Sequence, residues 1–360
     1  MKRMILRTAA IAVAAAVFLP VTGRAISAEK AVVMDAVTGE VLYERRAGER
    51  SLIASTTKIM TALVVCQRCN LLEQVKIPKE AVGVEGSSMY LQAGEVLTVQ
   101  ELLYGLMLRS GNDAAVALAI HCGGSVEAFA ALMNETAREL GLTGSHFVNP
   151  NGLDAPEHYS CARDLAVLAC HAMEHPAFAQ TVSTKQVRVG ERSLTNHNKL
   201  LWRMEGAEGV KTGYTRAAGR ILVSSAQRQG RRLVCVTIND PDDWNDHMEL
   251  MNRGFSRLHL TRLVSKGESM GRGAVLGGQQ EQVPLLARTE AFYPLTEQEQ
   301  VEIVLPKQLY YAPVVRGAPA GTACIRLGNT TVATVELVFG ETVEQQEEEK
   351  KPLWRRILGG

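Results

Sequence analysis

A serine and a lysine three positions apart, Ser55 and Lys58, open a stretch whose apolar residues recur at helical spacing. Positions i and i+3 share a helix face, so the amine of Lys58 reaches the hydroxyl of Ser55. A serine hydroxyl becomes a nucleophile only when a neighbouring base takes its proton. Lysine can be that base only if burial or a nearby cation pulls its pKa down. The start of the helix adds unsatisfied N–H groups that can hold charge developing on an attacked carbonyl. Alone, the pair also reads as a serine N-cap followed by an exposed lysine.

Two further polar islands ask for a reason. Ser110, Gly111 and Asn112 interrupt an apolar helical region. Ser110 could relay a proton to a leaving amine, and the Asn112 amide could hold a carbonyl or the lysine itself. The plainer reading is an interhelical loop with a cap. Lys211, Thr212 and Gly213 stand on an expected strand, followed by Tyr214. An ammonium beside a hydroxyl binds a carboxylate, Gly213 lets a substrate backbone lie close, and the Tyr214 N–H offers an oxyanion donor. The Lys211 charge would also help to keep Lys58 neutral. The plainer reading is an exposed edge-strand lysine with a bulge glycine.

The elements that must position these residues follow from periodicity. Residues 31–35 and 40–44 read as a hairpin, and 55–69, 99–108, 113–121, 126–140 and 162–173 as helices. Strand signals return at 209–214, 220–226 and 233–239. Strands, helices, then strands make an α+β layout in which early and late strands share one antiparallel sheet beside a helical cluster. Beyond Leu258, alternating Val301, Ile303 and Leu305, then Val335, Leu337 and Phe339, indicate a separate all-β domain.

Composition narrows the class. The 360 residues carry 39 Lys plus Arg against 38 Asp plus Glu, so no broad basic field exists to hold nucleic acid. No interior apolar run approaches the roughly 20 residues of a membrane-spanning helix. At the N-terminus, Lys2, Arg3 and Arg7 precede an apolar run and then small residues, the pattern of an export signal cleaved near Ser27. At the C-terminus an acidic stretch leads to Leu353, Trp354, Ile357 and Leu358 opposite Lys350, Lys351, Arg355 and Arg356, an amphipathic stripe suited to peripheral contact with a membrane surface. The expected divisions are a signal at 1–27, a catalytic unit at 28–258, a β-rich unit at 259–344 and a tail at 345–360. Seven cysteines give no disulfide framework, and Cys66 and Cys69 read as small buried hydrophobes. No histidine pair has zincin spacing and no Gly-x-Ser-x-Gly elbow occurs, so metal and cofactor chemistry is not expected. His197 reads as periphery of the site or as a plain loop histidine.

Ser-x-x-Lys, Ser-x-Asn and Lys-Thr-Gly, in that order and about 50 and 100 residues apart, together form the signature set of penicillin-interacting serine enzymes. The surrounding stretches 53–63 (IASTTKIMTAL), 108–116 (LRSGNDAAV), 149–154 (NPNGLD) and 210–219 (VKTGYTRAAG) closely resemble the low-molecular-weight D-alanyl-D-alanine carboxypeptidases. The resemblance implies a transpeptidase-like fold and removal of the terminal D-alanine from peptidoglycan pentapeptide stems through an acyl-enzyme on Ser55. It makes β-lactam antibiotics covalent inhibitors. By the same likeness Lys58 is the acylation base and Ser110 and Asn112 complete the relay and clamp. Lys211 and Thr212 would hold the terminal carboxylate, and the Ser55 and Tyr214 N–H groups would form the oxyanion hole. It places the protein outside the cytoplasm, at the bacterial cell membrane or wall. A class A β-lactamase is the rival within the superfamily, but Gly111 stands where that family has Asp, and Glu191 with Leu194 and Thr195 imitates its Glu-x-x-Leu-Asn box poorly. A non-catalytic wall-binding or β-lactam-sensing module is a further alternative. Some relatives carry an arginine after the strand that follows Lys-Thr-Gly. Here 239–243 is acidic, which puts an extra carboxylate-binding cation in doubt.

Overall fold

The computed structural model describes residues 25–347. Its central sheet is five-stranded and antiparallel, in the order β2 (Val41–Arg45), β1 (Lys30–Asp35), β9 (Arg231–Ile238), β8 (Gly219–Arg228), β7 (Ala207–Thr215). Both faces are covered, which explains why β1 and β9 are apolar almost throughout rather than alternating. Val32, Met34, Val234, Val236 and Ile238 face the larger core, while Ala31, Val33, Leu233 and Cys235 face the smaller one.

The larger core is shared with α1 (Lys58–Arg68), α2 (Val99–Leu108), α3 (Asn112–Gly123), α4 (Val126–Glu139), α5 (Ala162–Glu174) and α6 (Pro176–Ser183). Their ends are set locally. A capping box opens α2, in which the Glu101 N–H donates to Thr98 Oγ1 and the Thr98 N–H donates to Glu101. Ser125 accepts from Ala128 N–H to open α4. Short pairs β3 (Gln74–Lys76) with β4 (Val96–Thr98), and β5 (Gln186–Val189) with β6 (Arg192–Thr195), flank the helices, and the one-turn α7 (Leu200–Arg203) leads into β7.

The smaller core is closed by α8 (Asp243–Phe255), which the apolar pattern does not announce. Its buried stripe is Asp243, Asp246, His247, Leu250, Met251 and Gly254, so half of the face that should look apolar is polar. Those groups are paired instead. The His247 ring bonds Ser224 Oγ at 2.6 Å and Thr237 Oγ1 at 2.9 Å, and Asp246 accepts from the Ser27 and Ala28 N–H groups. Ile26 packs in the same core, so the folded unit starts inside the segment expected to be a leader through residue 27. The rest of that segment, 1–24, lies outside the described residues.

Beyond α8, β14 (Glu302–Val304), β16 (Pro319–Leu327), β17 (Thr330–Phe339), β12 (Gln282–Ala287), β11 (Ser269–Leu276) and β15 (Tyr310–Tyr311) form a six-stranded sheet. A ribbon of β10 (His259–Val264) and β13 (Ala291–Leu295) stands beside it. Val335, Leu337 and Phe339 are buried as their alternation requires, whereas Ile303 is 40% exposed on the edge strand β14. Gln345 and Gln346 still bond to the Gly278 and Gly277 region, so this unit runs slightly past the boundary expected at 344. The amphipathic stripe of the tail lies outside the described residues.

Candidate active site

Ser55 stands on a 3-10 turn, Ala54–Thr57, that feeds α1, rather than on the first turn of the α-helix itself. The turn is held from three sides. Thr56 Oγ1 donates to Ile53 O at 2.5 Å and Thr57 Oγ1 to Ala54 O at 2.9 Å. Because the Thr57 hydroxyl is spent on that carbonyl, His158 Nε2–H donates to Thr57 Oγ1 at 2.8 Å. Nδ1 of the same ring accepts from Val148 N–H at 3.1 Å. Burial holds this histidine neutral, its pKa lowered to about 4. From the third side Gly152 (φ +86°) lies so close that a Cβ there would sit 1.9 Å from Ala54 O.

Strand β7 borders the turn on its open flank. A Cβ on Gly213 would lie 3.3 Å from Ile53 O and from Thr56 N, so the space left by this glycine is filled by the turn bearing Ser55. The bareness of Gly213 thus makes room for the Ser55 turn, a use beyond the close approach of a substrate backbone, and Gly213 also lines the cleft.

Lys58 is fully buried, and its Nζ lies 3.0 Å from Ser55 Oγ, 2.7 Å from Asn112 Oδ1 and 2.5 Å from Asn151 O. The orientation of Asn112 is set by its own amide, which donates from Nδ2 to Glu85 O at 2.5 Å. Two of the three Lys58 partners are thus carbonyl oxygens that can only accept. A neutral amine has two N–H donors and one lone pair. With both donors taken, the lone pair is left for the Ser55 O–H, which donates to it. The electrostatics favour that form: burial first, then the Lys211 charge, hold Lys58 well below the usual lysine pKa, against an opposing pull from Asp113.

A cleft of about 300 Å³ opens over this cluster, lined by Ser55, Ser87, Ser110, His197, Thr212, Gly213, Tyr214, Arg220, Asp243 and Trp244. Ser110 holds its place at φ +60°, in the left-handed region. Lys211 is buried, with its Nζ donating to Thr212 O at 2.8 Å and its pKa lowered to about 7 by burial. The exposed-lysine reading of Lys-Thr-Gly therefore fails, although β7 is an edge strand. The structure gathers Ser55, Lys58, Ser110, Asn112, Lys211, Thr212, Gly213 and Tyr214 in or directly beneath one cleft. His197 lies on its wall, with Nε2 accepting from Arg109 at 3.2 Å. Glu191, the residue that imitates a β-lactamase base, sits at the exposed turn between β5 and β6.

Three contributors escaped the residue pattern. The Asn151 carbonyl acts through its backbone, which no side-chain motif reports. Asp113 is buried and gathers Ser88 Oγ and the N–H groups of Met89 and Leu91, fixing the loop whose Glu85 carbonyl orients Asn112. Arg220 reaches the cleft from β8, opposite Tyr214 in register, and donates to both oxygens of Asp243 at 2.6 and 2.7 Å. A cation is therefore present after all, supplied by β8, the strand that follows Lys-Thr-Gly, and held by Asp243 of the acidic segment.

The family profile described as D-alanyl-D-alanine carboxypeptidase matches residues 15–242, and that of the penicillin-binding protein 5 C-terminal domain matches residues 259–345. D-alanyl-D-alanine carboxypeptidase DacF of Bacillus subtilis is 30% identical over 336 residues, covering 88% of this chain and 86% of that protein. DacC of Escherichia coli is 32% identical over 351 residues, covering 89% and 85%. Among solved structures, penicillin binding protein 5 from Haemophilus influenzae superposes with a TM-score of 0.64 at 29% identity, covering 90% of this chain and all of that one. A mutant of the Streptomyces K15 DD-transpeptidase gives 0.63 at 36% identity, covering 65% of this chain and 99% of that one. With a cleft built on Ser55, Lys58 and Lys211 and a match running through both units, this chain belongs to the D-alanyl-D-alanine carboxypeptidase family.

Proposed function

We propose that the protein removes the terminal D-alanine from peptidoglycan pentapeptide stems through an acyl-enzyme on Ser55. The observation that carries this is the Lys58 amine, sealed from water, with two carbonyl acceptors on its N–H groups and the Ser55 hydroxyl at its remaining position. Lys58 takes the Ser55 proton as Oγ attacks the scissile carbonyl, a role worth roughly 10²–10⁴-fold in rate. The backbone N–H groups of Ser55 and Tyr214 hold the oxyanion, and each such donor contributes about 10²–10³-fold. Ser110 passes a proton to the departing D-alanine amine while Asn112 holds the lysine and the substrate amide. Lys211 and Thr212 grip the free carboxylate of the stem, and water then releases the shortened peptide from Ser55. β-Lactams acylate the same serine.

Peptidoglycan lies outside the cytoplasmic membrane, and the basic-headed apolar N-terminus fits export to that side. The basic and aromatic tail at 350–360 gives peripheral contact with the membrane surface.

Digesting purified muropeptides with the intact protein and with Ser55→Ala, and weighing the products, tests the reading. The expected result is loss of one alanine from pentapeptides with the intact protein only, together with a penicilloyl adduct mapped to Ser55. Pentapeptide trimming that persists in Ser55→Ala would overturn it.

A further inference from the structure

Helices α1 and α3 both start in the catalytic cluster. Their first residues, Lys58 and Asn112, are joined by the 2.7 Å hydrogen bond that positions the amine. The two helices pack against each other and have nearly equal length, 11 and 12 residues. At about 1.5 Å per residue they therefore end at the same level, some 17 Å from the site. Cys69 is the C-cap of α1, its N–H donating to Val65 O at 2.9 Å. Cys122 is in the last turn of α3, just before Gly124 closes that helix on Ile120 O. Both are half-buried against the same apolar cluster, and the two thiols are close enough for each to shift the other's ionisation. The Cys-x-x-Cys spacing suggests Cys66 as the natural neighbour, but Cys66 is buried on the core side of α1.

We propose that Cys69 and Cys122 are a redox site: they form a disulfide that clamps the far ends of α1 and α3, with an exchanging disulfide, of a small molecule or an oxidoreductase, as oxidant. The Cys122 thiolate attacks one sulfur of that disulfide, whose S–S bond breaks and whose other sulfur leaves as a thiolate that takes up a proton. Cys69 then loses its proton to solvent and displaces the second sulfur from the mixed disulfide. Two protein thiols are oxidised and one disulfide is reduced to two thiols. The order follows from the surroundings. The adjacent Cys69 thiol, aided by the Arg68 guanidinium, lowers the Cys122 pKa, while the same pairing raises that of Cys69. The cross-link closes the segment 70–121, which carries Ser110 and Asn112, so it ties the second catalytic motif to the helix that carries the first.

The test equilibrates the folded full chain with glutathione and its disulfide over a range of ratios, quenches with acid, alkylates free thiols and maps peptides without reduction. The expected result is a Cys69–Cys122 linked peptide that forms without denaturant, and a thermal midpoint about 5–10 °C higher in the oxidised form. Cys69→Ala should trap glutathione on Cys122. Cys122→Ala should abolish the linkage, and both variants should still acylate with penicillin. Both thiols alkylated at every ratio, a link from Cys69 to Cys66, or a link that forms only in denaturant would overturn the proposal.

Discussion

An ammonium sealed from water forfeits hydration worth several kcal/mol, and at position 58 a second buried lysine adds repulsion, so the proton resides on Lys211 rather than on Lys58. That division of labour has a signature in pH. Lys211 must be charged to hold a carboxylate, yet burial lowers its pKa to about 7. In the free enzyme it loses its proton as pH rises through that value. The expected kcat/KM for a D-Ala-D-Ala peptide therefore falls on the alkaline side of about pH 7, while kcat falls later, because bound carboxylate retains the proton. In Lys211→Arg the guanidinium stays charged throughout, so the alkaline limb should disappear below about pH 9, even if imperfect geometry lowers the plateau about tenfold. A limb at the same pH in wild type and variant would assign it to another group.

The groups of the cleft come from several elements, β7 alone supplying Lys211, Thr212, Gly213 and Tyr214, and how far each could be foreseen depended on what it left in the side-chain pattern. Helices α2 and α4 are legible because apolar periodicity and caps agree, and the three motifs are legible because their residues act through side chains. Helix α8 is not, because Asp246 and His247 occupy positions that periodicity expects to be apolar, and only the distant partners Ser27, Ser224 and Thr237 make that tolerable. Arg220 is missed for a related reason: its place in the cleft follows from the β7–β8 register, which pairs it with Tyr214, and not from its distance along the chain. The loop at 149–154 can be noticed as text, but its function is carried by the Asn151 carbonyl and by the bareness of Gly152. Gly152→Ala tests that loop. The new methyl would meet Ala54 O at 1.9 Å and the residue would be strained at φ +86°, so the Ser55 turn must move. A displacement near 1 Å costs about 10²-fold in reactivity, so penicillin acylation should slow by about that factor or more. Gly83→Ala is the control, since it has a similar φ of +74° but open space around it, and it should acylate at the wild-type rate. Equal rates in all three proteins would remove the loop from the machinery.

At the scale of the whole molecule, the catalytic unit and the β-rich unit are joined through one buried cation. Arg231, at the start of β9, donates Nε to Asp35 at 2.6 Å, Nη1 to Pro294 O at 3.0 Å and Nη2 to Glu299 at 2.5 Å, and stacks on Tyr293. Asp35 cannot simply relax once the cation is gone, because its other oxygen already accepts from the Val37 and Thr38 N–H groups of the β1–β2 turn. A buried pair of this kind adds little net stability over a well-packed apolar substitute, but removing one partner strands the others away from water, at a cost of about 3–5 kcal/mol. Arg231→Met should therefore destabilise the protein by about that amount and expose the junction near Leu258 to protease, with penicillin acylation retained under native conditions. The exposed pair Arg288–Glu336, 58% and 64% accessible, lies within the β-rich unit and gives the comparison. Arg288→Met should change stability by less than about 1 kcal/mol and leave cleavage unchanged. Similar stability losses in the two variants, or a junction equally resistant in both, would mean that the units are held together by apolar packing around Val37, Tyr293 and Leu295 rather than by Arg231.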